Sequence, residues 1–166
     1  MATFISFPIL ILITILQSSI ASRLTLLQGS ADLMLLVLIA WALQERVQTA
    51  WQWTVVGGLL IGFVSILNTL LVLGTYAAII GLVLLVRRRI WGFSLLVMFA
   101  LTLFGSIFSQ GVFALALTIS GTPLPFVDSL RLVVLPGLVL NLLLAAPIYA
   151  IIKDLAEWVY PEEILS

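Results

Sequence analysis

Residues 47–86 read VQTAWQWTVVGGLLIGFVSILNTLLVLGTYAAIIGLVLLV and are followed directly by Arg87, Arg88 and Arg89. These 40 residues carry no charge, and as one helix they would extend about 60 Å at about 1.5 Å per residue. That length is about twice the hydrocarbon thickness of a bilayer, which is about 30 Å. The stretch therefore predicts a hairpin of two membrane-spanning helices with its turn at Asn68 and Thr69.

The rest of the chain repeats this pattern of long apolar runs separated by short charged gaps. Hydrophobic residues make up 63% of the 166 residues and charged residues 8%, against about 45–50% and about 25% in soluble domains. The apolar signal comes in long blocks rather than in alternating strands of about ten residues, which disfavours a β-barrel. We predict an all-α integral membrane protein with six transmembrane helices, forming a single polytopic membrane domain over residues 1–166.

The charged and turn-forming residues between the apolar runs define the predicted spans, which are residues 4–22, 31–43, two within 47–86, one within 90–120 and one from about 128 to 152. The first segment lacks the basic region of a signal peptide, so we interpret it as a span. The second covers only about 20 Å, so it is either short or begins near Leu24. The fifth is long, and we expect it to tilt, protrude or bend near Gly105 or residues 109–111.

Loop charge predicts the orientation. Six spans place both termini on one side, and the loops of that side carry five basic residues, Arg46, Arg87, Arg88, Arg89 and Lys153. The opposite loops carry Arg23 and Arg131, so the positive-inside rule places the termini in the cytoplasm. The tryptophans at 41, 51, 53, 91 and 158 fall beside the gaps of that same side, where interfacial tryptophan is expected.

The composition leaves few candidates for chemistry. Cysteine and histidine are both absent, which removes thiolate nucleophiles, imidazole bases and the commonest zinc ligands. A net charge of zero gives no basic surface for nucleic acid. No phosphate-binding loop, nucleophile elbow or metal-ligand motif appears. We therefore predict no enzymatic activity, no cofactor and no metal.

Asp32 is the only acidic residue that we expect below the membrane interface. An intramembrane carboxylate is by default a functional candidate, and Asp32 would then belong to a proton or substrate path. The alternative, which we favour, is a carboxylate in the first turn of the second helix, where it suits the positive end of the helix dipole beside a capping Ser30.

Uncharged polar and small residues within the spans bear on helix packing. The polar residues are Ser106, Ser109, Gln110 and Asn141. Such groups usually form interhelical hydrogen bonds, and a substrate cavity is the alternative. Small residues recur at helical spacing in the central hairpin, at Gly58, Gly62, Gly74, Ala77, Ala78 and Gly81. They let backbones approach closely, so we favour mutual packing of the third and fourth helices, with docking of a foreign transmembrane helix as the alternative.

The remaining charges are interpreted as structural. The three arginines at 87–89 either bind anionic lipid headgroups or act only as topology determinants. Asp128 and Arg131, spaced i, i+3, are interpreted as a capping and interfacial pair. Lys153 and Glu157, spaced i, i+4, are interpreted as part of a solvated helix end.

The order of these features resembles the MreD family of bacterial rod-shape-determining membrane proteins. Residues 31–37 are similar to the family's Pro-Asp and following apolar run. Residues 58–63, then Leu73, Gly74 and Ala77, resemble its Gly-rich third helix and the Leu-Gly-x-x-Ala opening of its fourth. The arginine cluster follows, and the last helix has the matching pattern Leu135, Pro136, Asn141, Pro147 and Tyr149. The chain departs from the family at Ala31, where the family has proline, and near Ser65, where it commonly has an acidic residue.

The resemblance implies a non-catalytic scaffold of the cell-elongation machinery in the bacterial inner membrane, acting in cell shape and peptidoglycan synthesis. Its implied partner is MreC, a single-span protein, within an assembly that includes RodA, its penicillin-binding partner, RodZ and MreB. The family fold is also similar to the substrate-binding S-components of vitamin transporters, which supply the main alternative function. Against that alternative, residues 4–22 lack the Ala-x-x-x-Ala docking pattern and the outer loops offer few polar side chains. A proton-coupled multidrug pump would need a membrane-buried glutamate that is absent.

Overall fold

The computed structural model describes residues 2–23, 31–89, 94–121 and 133–161. These residues form six α-helices and no strand: α1 (Ala2–Arg23), α2 (Leu33–Leu43), α3 (Ala50–Val64), α4 (Thr69–Arg87), α5 (Ser94–Ile119) and α6 (Leu135–Val159). The predicted all-helical class is thus confirmed for the described part of the chain. The predicted start of the last span at Asp128, and the Asp128–Arg131 pair, lie outside it.

Three of these helices are long and apolar enough to cross a membrane, namely α4, residues 95–119 of α5 and α6. The other apolar helical stretches are shorter, at Phe7–Ser19, Leu33–Leu43 and Ala50–Val64. The chain therefore has the properties of a membrane protein, and the count of six spans stays a prediction.

α2 is the central helix of the bundle. Every residue from Met34 to Leu43 is buried, and α2 contacts all five other described helices. A helix that is hydrophobic all round is expected to be enclosed on all sides, and an apolar stretch of 10–14 residues is more often a buried core helix than a span. The eleven residues of α2 are about 16 Å long, so the short form of the predicted second helix is the one observed.

The α3–α4 hairpin has the predicted turn. α3 ends at Val64, and the Asn68 side chain accepts a hydrogen bond of 2.8 Å from the Leu70 N–H at the start of α4. Gly62 brings the two helices together, since a Cβ added there would lie 2.9 Å from the Cα of Thr69. The Thr69 hydroxyl donates to the Gly62 carbonyl at 3.2 Å. The hairpin is therefore closed by backbone approach just before its turn.

The two long C-terminal helices differ from the predicted boundaries. α5 is one helix through Gly105 and residues 109–111, and Gly121 with φ of 85° follows its end, in the left-handed region that glycine tolerates. α6 runs to Val159, seven residues beyond the predicted end of the span at Ile152. Lys153 and Glu157 lie on this extension with Nζ and Oε1 3.8 Å apart, both well exposed. The predicted solvated helix end is confirmed.

The tryptophans only partly follow the predicted interfacial arrangement. Trp51 and Trp158 are exposed, whereas Trp41 and Trp53 are fully buried and stack with ring centroids 4.0 Å apart. The Trp41 Nε1–H donates to the Thr49 hydroxyl at 3.3 Å. Because α2 is enclosed by its neighbours, its tryptophan faces protein rather than lipid headgroups. Trp91 lies outside the described residues.

Candidate functional site

Asp32 is the N-cap of α2 and connects α2 to two other helices. Its Oδ1 accepts a hydrogen bond of 3.0 Å from the Leu35 N–H, which satisfies one of the unpaired donors at the start of a helix. Each carboxylate oxygen lies 2.9 Å from the Tyr76 hydroxyl of α4, which donates to them. The Gln17 side chain of α1 reaches the same helix start, where its Oε1 accepts from the Met34 N–H at 2.9 Å.

A second set of polar contacts lies on the other side of the same helix start. Asn141 of α6 accepts a hydrogen bond of 2.8 Å from the Asp32 N–H and donates through Nδ2 to the Ser106 hydroxyl of α5 at 2.8 Å. Asn141 and Ser106 are fully buried. The predicted interhelical hydrogen bonding of these two residues is confirmed, and it joins α2, α5 and α6 at one level.

A cavity of about 410 Å³ lies beside this polar cluster. Its walls come from the C-terminal parts of α1, α3 and α5 and the N-terminal parts of α2, α4 and α6, so it occupies the end of the bundle opposite the arginines at 87–89. The lining includes the apolar side chains of Ile61, Val64, Val72, Phe113, Leu117 and Val133 and the polar side chains of Gln17, Ser18, Asp32, Tyr76, Ser109 and Gln110. Its volume falls within the range of about 300–1,000 Å³ that is typical of small-molecule sites.

Gln110 is the polar residue of this cavity whose bonding is incomplete. Its Oε1 is buried and has no hydrogen-bond partner within the described part of the chain. Buried polar atoms without a partner are rare and call for an explanation. The Gln110 amide and the Asp32 carboxylate both supply hydrogen-bond acceptors to this cavity. The described residues that line the cavity include no Lys or Arg. The described residues also contain no group of three potential metal ligands. This arrangement can bind a ligand that donates hydrogen bonds, but it offers no pair of side chains for general acid–base catalysis.

Sequence reasoning identified part of this site. The favoured interpretation placed Asp32 in the first turn of the helix with Ser30 as its cap; the structure instead makes Asp32 itself the N-cap, and Ser30 lies outside the described residues. Ser109 and Gln110 line a cavity, which was the less favoured alternative to interhelical hydrogen bonding for these polar residues. Tyr76 and Gln17 were missed, because their importance comes from meeting the start of α2 in space. The only sequence signal was that each has a polar side chain within an apolar run, next to other polar residues such as Ser18 and Thr75.

The predicted small-residue positions divide into two sets. Gly58 and Gly62 face α4, where an added Cβ would meet Leu73 and Thr69 within 3 Å, so they serve packing of α3 on α4 as favoured. The ring of Trp51 covers Gly81 at 3.6 Å from an added Cβ. By contrast, Gly74 and Ala78 are exposed on α4, and no described atom lies within 4 Å of a Cβ added at Gly74.

The three arginines also differ from one another. Arg87 is partly buried, and its Nη1 donates to the carbonyl oxygens of Ala42 at 2.9 Å, Gln44 at 2.7 Å and Val47 at 3.2 Å. Arg87 thus satisfies the last carbonyls of α2 and the loop after it. Arg88 and Arg89 are exposed and remain the candidates for contact with lipid headgroups.

No family model, no curated protein and no solved structure matches this chain.

Proposed function

We propose that this protein is a non-catalytic membrane scaffold of the MreD type that binds an MreC-like single-span protein. Two things support the proposal: the order of the motifs along the chain, and the outward-facing small residues of α4. The proposed location is the bacterial inner membrane, with both termini in the cytoplasm and the wider elongation machinery as the assembly that the scaffold serves.

The observation that carries the proposal is the exposed surface around Gly74 and Ala78. These residues lie one turn apart on α4 and are flanked on that helix by Leu70 and Leu85, whose exposed fractions are 75% and 63%. Small residues at this spacing let a second transmembrane helix approach closely in lipid. Because Gly58 and Gly62 are already covered by α4, Gly74 and Ala78 are the small-residue pair that a partner helix would use.

Ala78→Leu tests this proposal when the protein is purified in a mild detergent from its host. The parent protein should bring down an MreC-like single-span protein, and Ala78→Leu should reduce its recovery because the larger side chain separates the two backbones. Ala100→Leu, the same change at an exposed alanine of α5, is the matched control and should keep the partner. Depletion of the protein should also round the cells. Equal recovery with both variants would exclude the α4 surface, and absence of an MreC-like protein from the parent would refute the scaffold.

A second candidate function is favoured by the cavity beside Asp32. One of the two sequence arguments against a vitamin-binding S-component was the scarcity of polar side chains in the outer loops, yet polar groups line this cavity from the helices themselves. The other argument, the absence of an Ala-x-x-x-Ala pattern in residues 4–22, still stands. Recovery of an ATPase-containing module in the same purification, in place of an MreC-like protein, would favour the S-component.

A further inference from the structure

We infer that the cavity beside Asp32 binds a small molecule with a primary ammonium group on an apolar body. The inference goes beyond the scaffold function and holds whichever partner the protein has. It rests on the bonding of the Asp32 carboxylate, the incomplete bonding of Gln110 and the apolar character of the remaining walls.

The Asp32 carboxylate has room for one more donor. A carboxylate offers about four acceptor positions, and two donors reach this one, the Leu35 N–H and the Tyr76 hydroxyl. Both donors are neutral, and no described lining residue is basic. A charge held at membrane depth without a partner of opposite sign is costly, and a ligand that brings an ammonium group would remove that cost.

Gln110 supplies a second acceptor, and the other walls define the rest of the ligand. Gln110 lines the same cavity as Asp32, and a turn of its side-chain amide would present the buried, unpartnered Oε1 to the ligand. An ammonium group with three donors can then be shared between the two residues. The aliphatic side chains and Phe113 suit an apolar body. A ligand with a carboxylate or phosphate group would instead face two hydrogen-bond acceptors, with no basic side chain among the described lining residues. Anionic ligands are therefore disfavoured.

The test uses the full chain in phosphatidylcholine nanodiscs and three probes with the same ring. Phenethylamine, 2-phenylethanol and phenylacetate are titrated by calorimetry. We expect saturable binding of phenethylamine, affinity for the alcohol lower by about tenfold or more, and the weakest affinity for phenylacetate, since a hydrogen bond to a charged group is worth about tenfold or more in affinity. No saturable binding of the amine, or equal binding of the three probes, would overturn the inference.

Two variants assign the binding to the named atoms. Asp32→Asn keeps a good N-cap for α2 and should lower amine affinity by about tenfold. Gln110→Met removes the unpartnered carbonyl at similar volume and should weaken the amine several-fold, whereas Gln48→Met, at an exposed position far from the cavity, should leave it unchanged. Unchanged amine affinity in both cavity variants would refute the site.

Two further experiments identify the group that binds the Asp32 carboxylate. Arg131, outside the described residues, is two positions before the cavity residue Val133. Amine binding that appears only in Arg131→Gln would overturn the inference, because the protein's own arginine would then hold the site. Competition by phosphatidylethanolamine nanodiscs would support the site with a lipid headgroup as the source of the ammonium, and unchanged affinity there would support it with a free amine as the source.

Discussion

At the scale of single residues, two charged side chains satisfy the two ends of the buried helix α2. Asp32 accepts from the Leu35 N–H at the start, and Arg87 donates to the carbonyls of Ala42 and Gln44 at the end. These signs match the helix dipole, which favours an anion at the N-terminus and a cation at the C-terminus. Both side chains therefore satisfy backbone groups at the ends of a helix whose residues 34–43 are buried.

Tyr76→Phe tests the contact between α4 and the Asp32 carboxylate. The change removes the hydroxyl that donates to both carboxylate oxygens and leaves a buried acceptor short of a donor. We expect the protein to lose about 1–3 kcal/mol of stability, measured by thermal or denaturant unfolding in detergent. Tyr149→Phe is the control, because the Tyr149 hydroxyl makes no hydrogen bond within the described chain, and it should change stability little. Equal effects of the two changes would contradict the role of Tyr76.

Arg87→Gln tests whether this arginine is a structural cap rather than only a topology signal. The variant loses the charged donor to three carbonyl oxygens, and hydrogen bonds to charged groups are worth about 1.5–3 kcal/mol. Arg88→Gln removes the same charge from the same loop, but at an exposed position, where substitutions usually change stability by about 0.5 kcal/mol or less. Unfolding of both variants in detergent should separate them, and similar stability would show that the cap contributes nothing.

At the scale of helices, the α3–α4 hairpin depends on which glycines face inward. Gly62 packs against the Thr69 backbone, whereas a Cβ added at Gly74 would have no described atom within 4 Å. Both glycines nevertheless belong to small-residue pairs with the same spacing. Sequence spacing alone could not separate these two surfaces. It located the hairpin and its turn, because both depend on local hydropathy and on a capping asparagine.

Gly62→Ala should therefore destabilise the protein, whereas Gly74→Ala should not. The first places a methyl group 2.9 Å from a backbone carbon, and overpacking of this kind costs about 1–3 kcal/mol. The second adds a methyl group in open space and should be neutral, or stabilise by up to about 1 kcal/mol through helix propensity. Unfolding midpoints of the two variants in the same detergent measure the difference. Equal destabilisation would mean that Gly74 is also enclosed.

At the scale of the whole molecule, the two ends of the bundle differ in chemistry. One end holds Arg87, Arg88 and Arg89, and the other holds the cavity with Asp32 and Gln110. The sequence predicted the first end well, since charges in loops are visible along the chain. It predicted the cavity poorly, because Asp32 and Tyr76 are 44 residues apart and hydropathy does not say which faces of two helices meet.

Cysteine accessibility tests the orientation of these two ends. The chain has no cysteine, so single-cysteine variants give a clean readout. Ile66→Cys, at a fully exposed position of the α3–α4 turn, should react with a membrane-impermeant maleimide in intact spheroplasts. Gln48→Cys, at an exposed position of the α2–α3 loop, should react only after lysis. The reverse pattern would invert the proposed orientation and place the arginines outside.

The length of α2 also affects how the protein enters the membrane during synthesis. A helix of eleven residues, about 16 Å long, is too short to cross about 30 Å of hydrocarbon by itself. We therefore do not expect the translocation machinery to release α2 into the lipid as an independent transmembrane helix. Because α2 packs most extensively against α6 and then against α4 and α5, we expect its enclosure to be completed only after the C-terminal helices have been made, so that insertion of α2 is coupled to theirs.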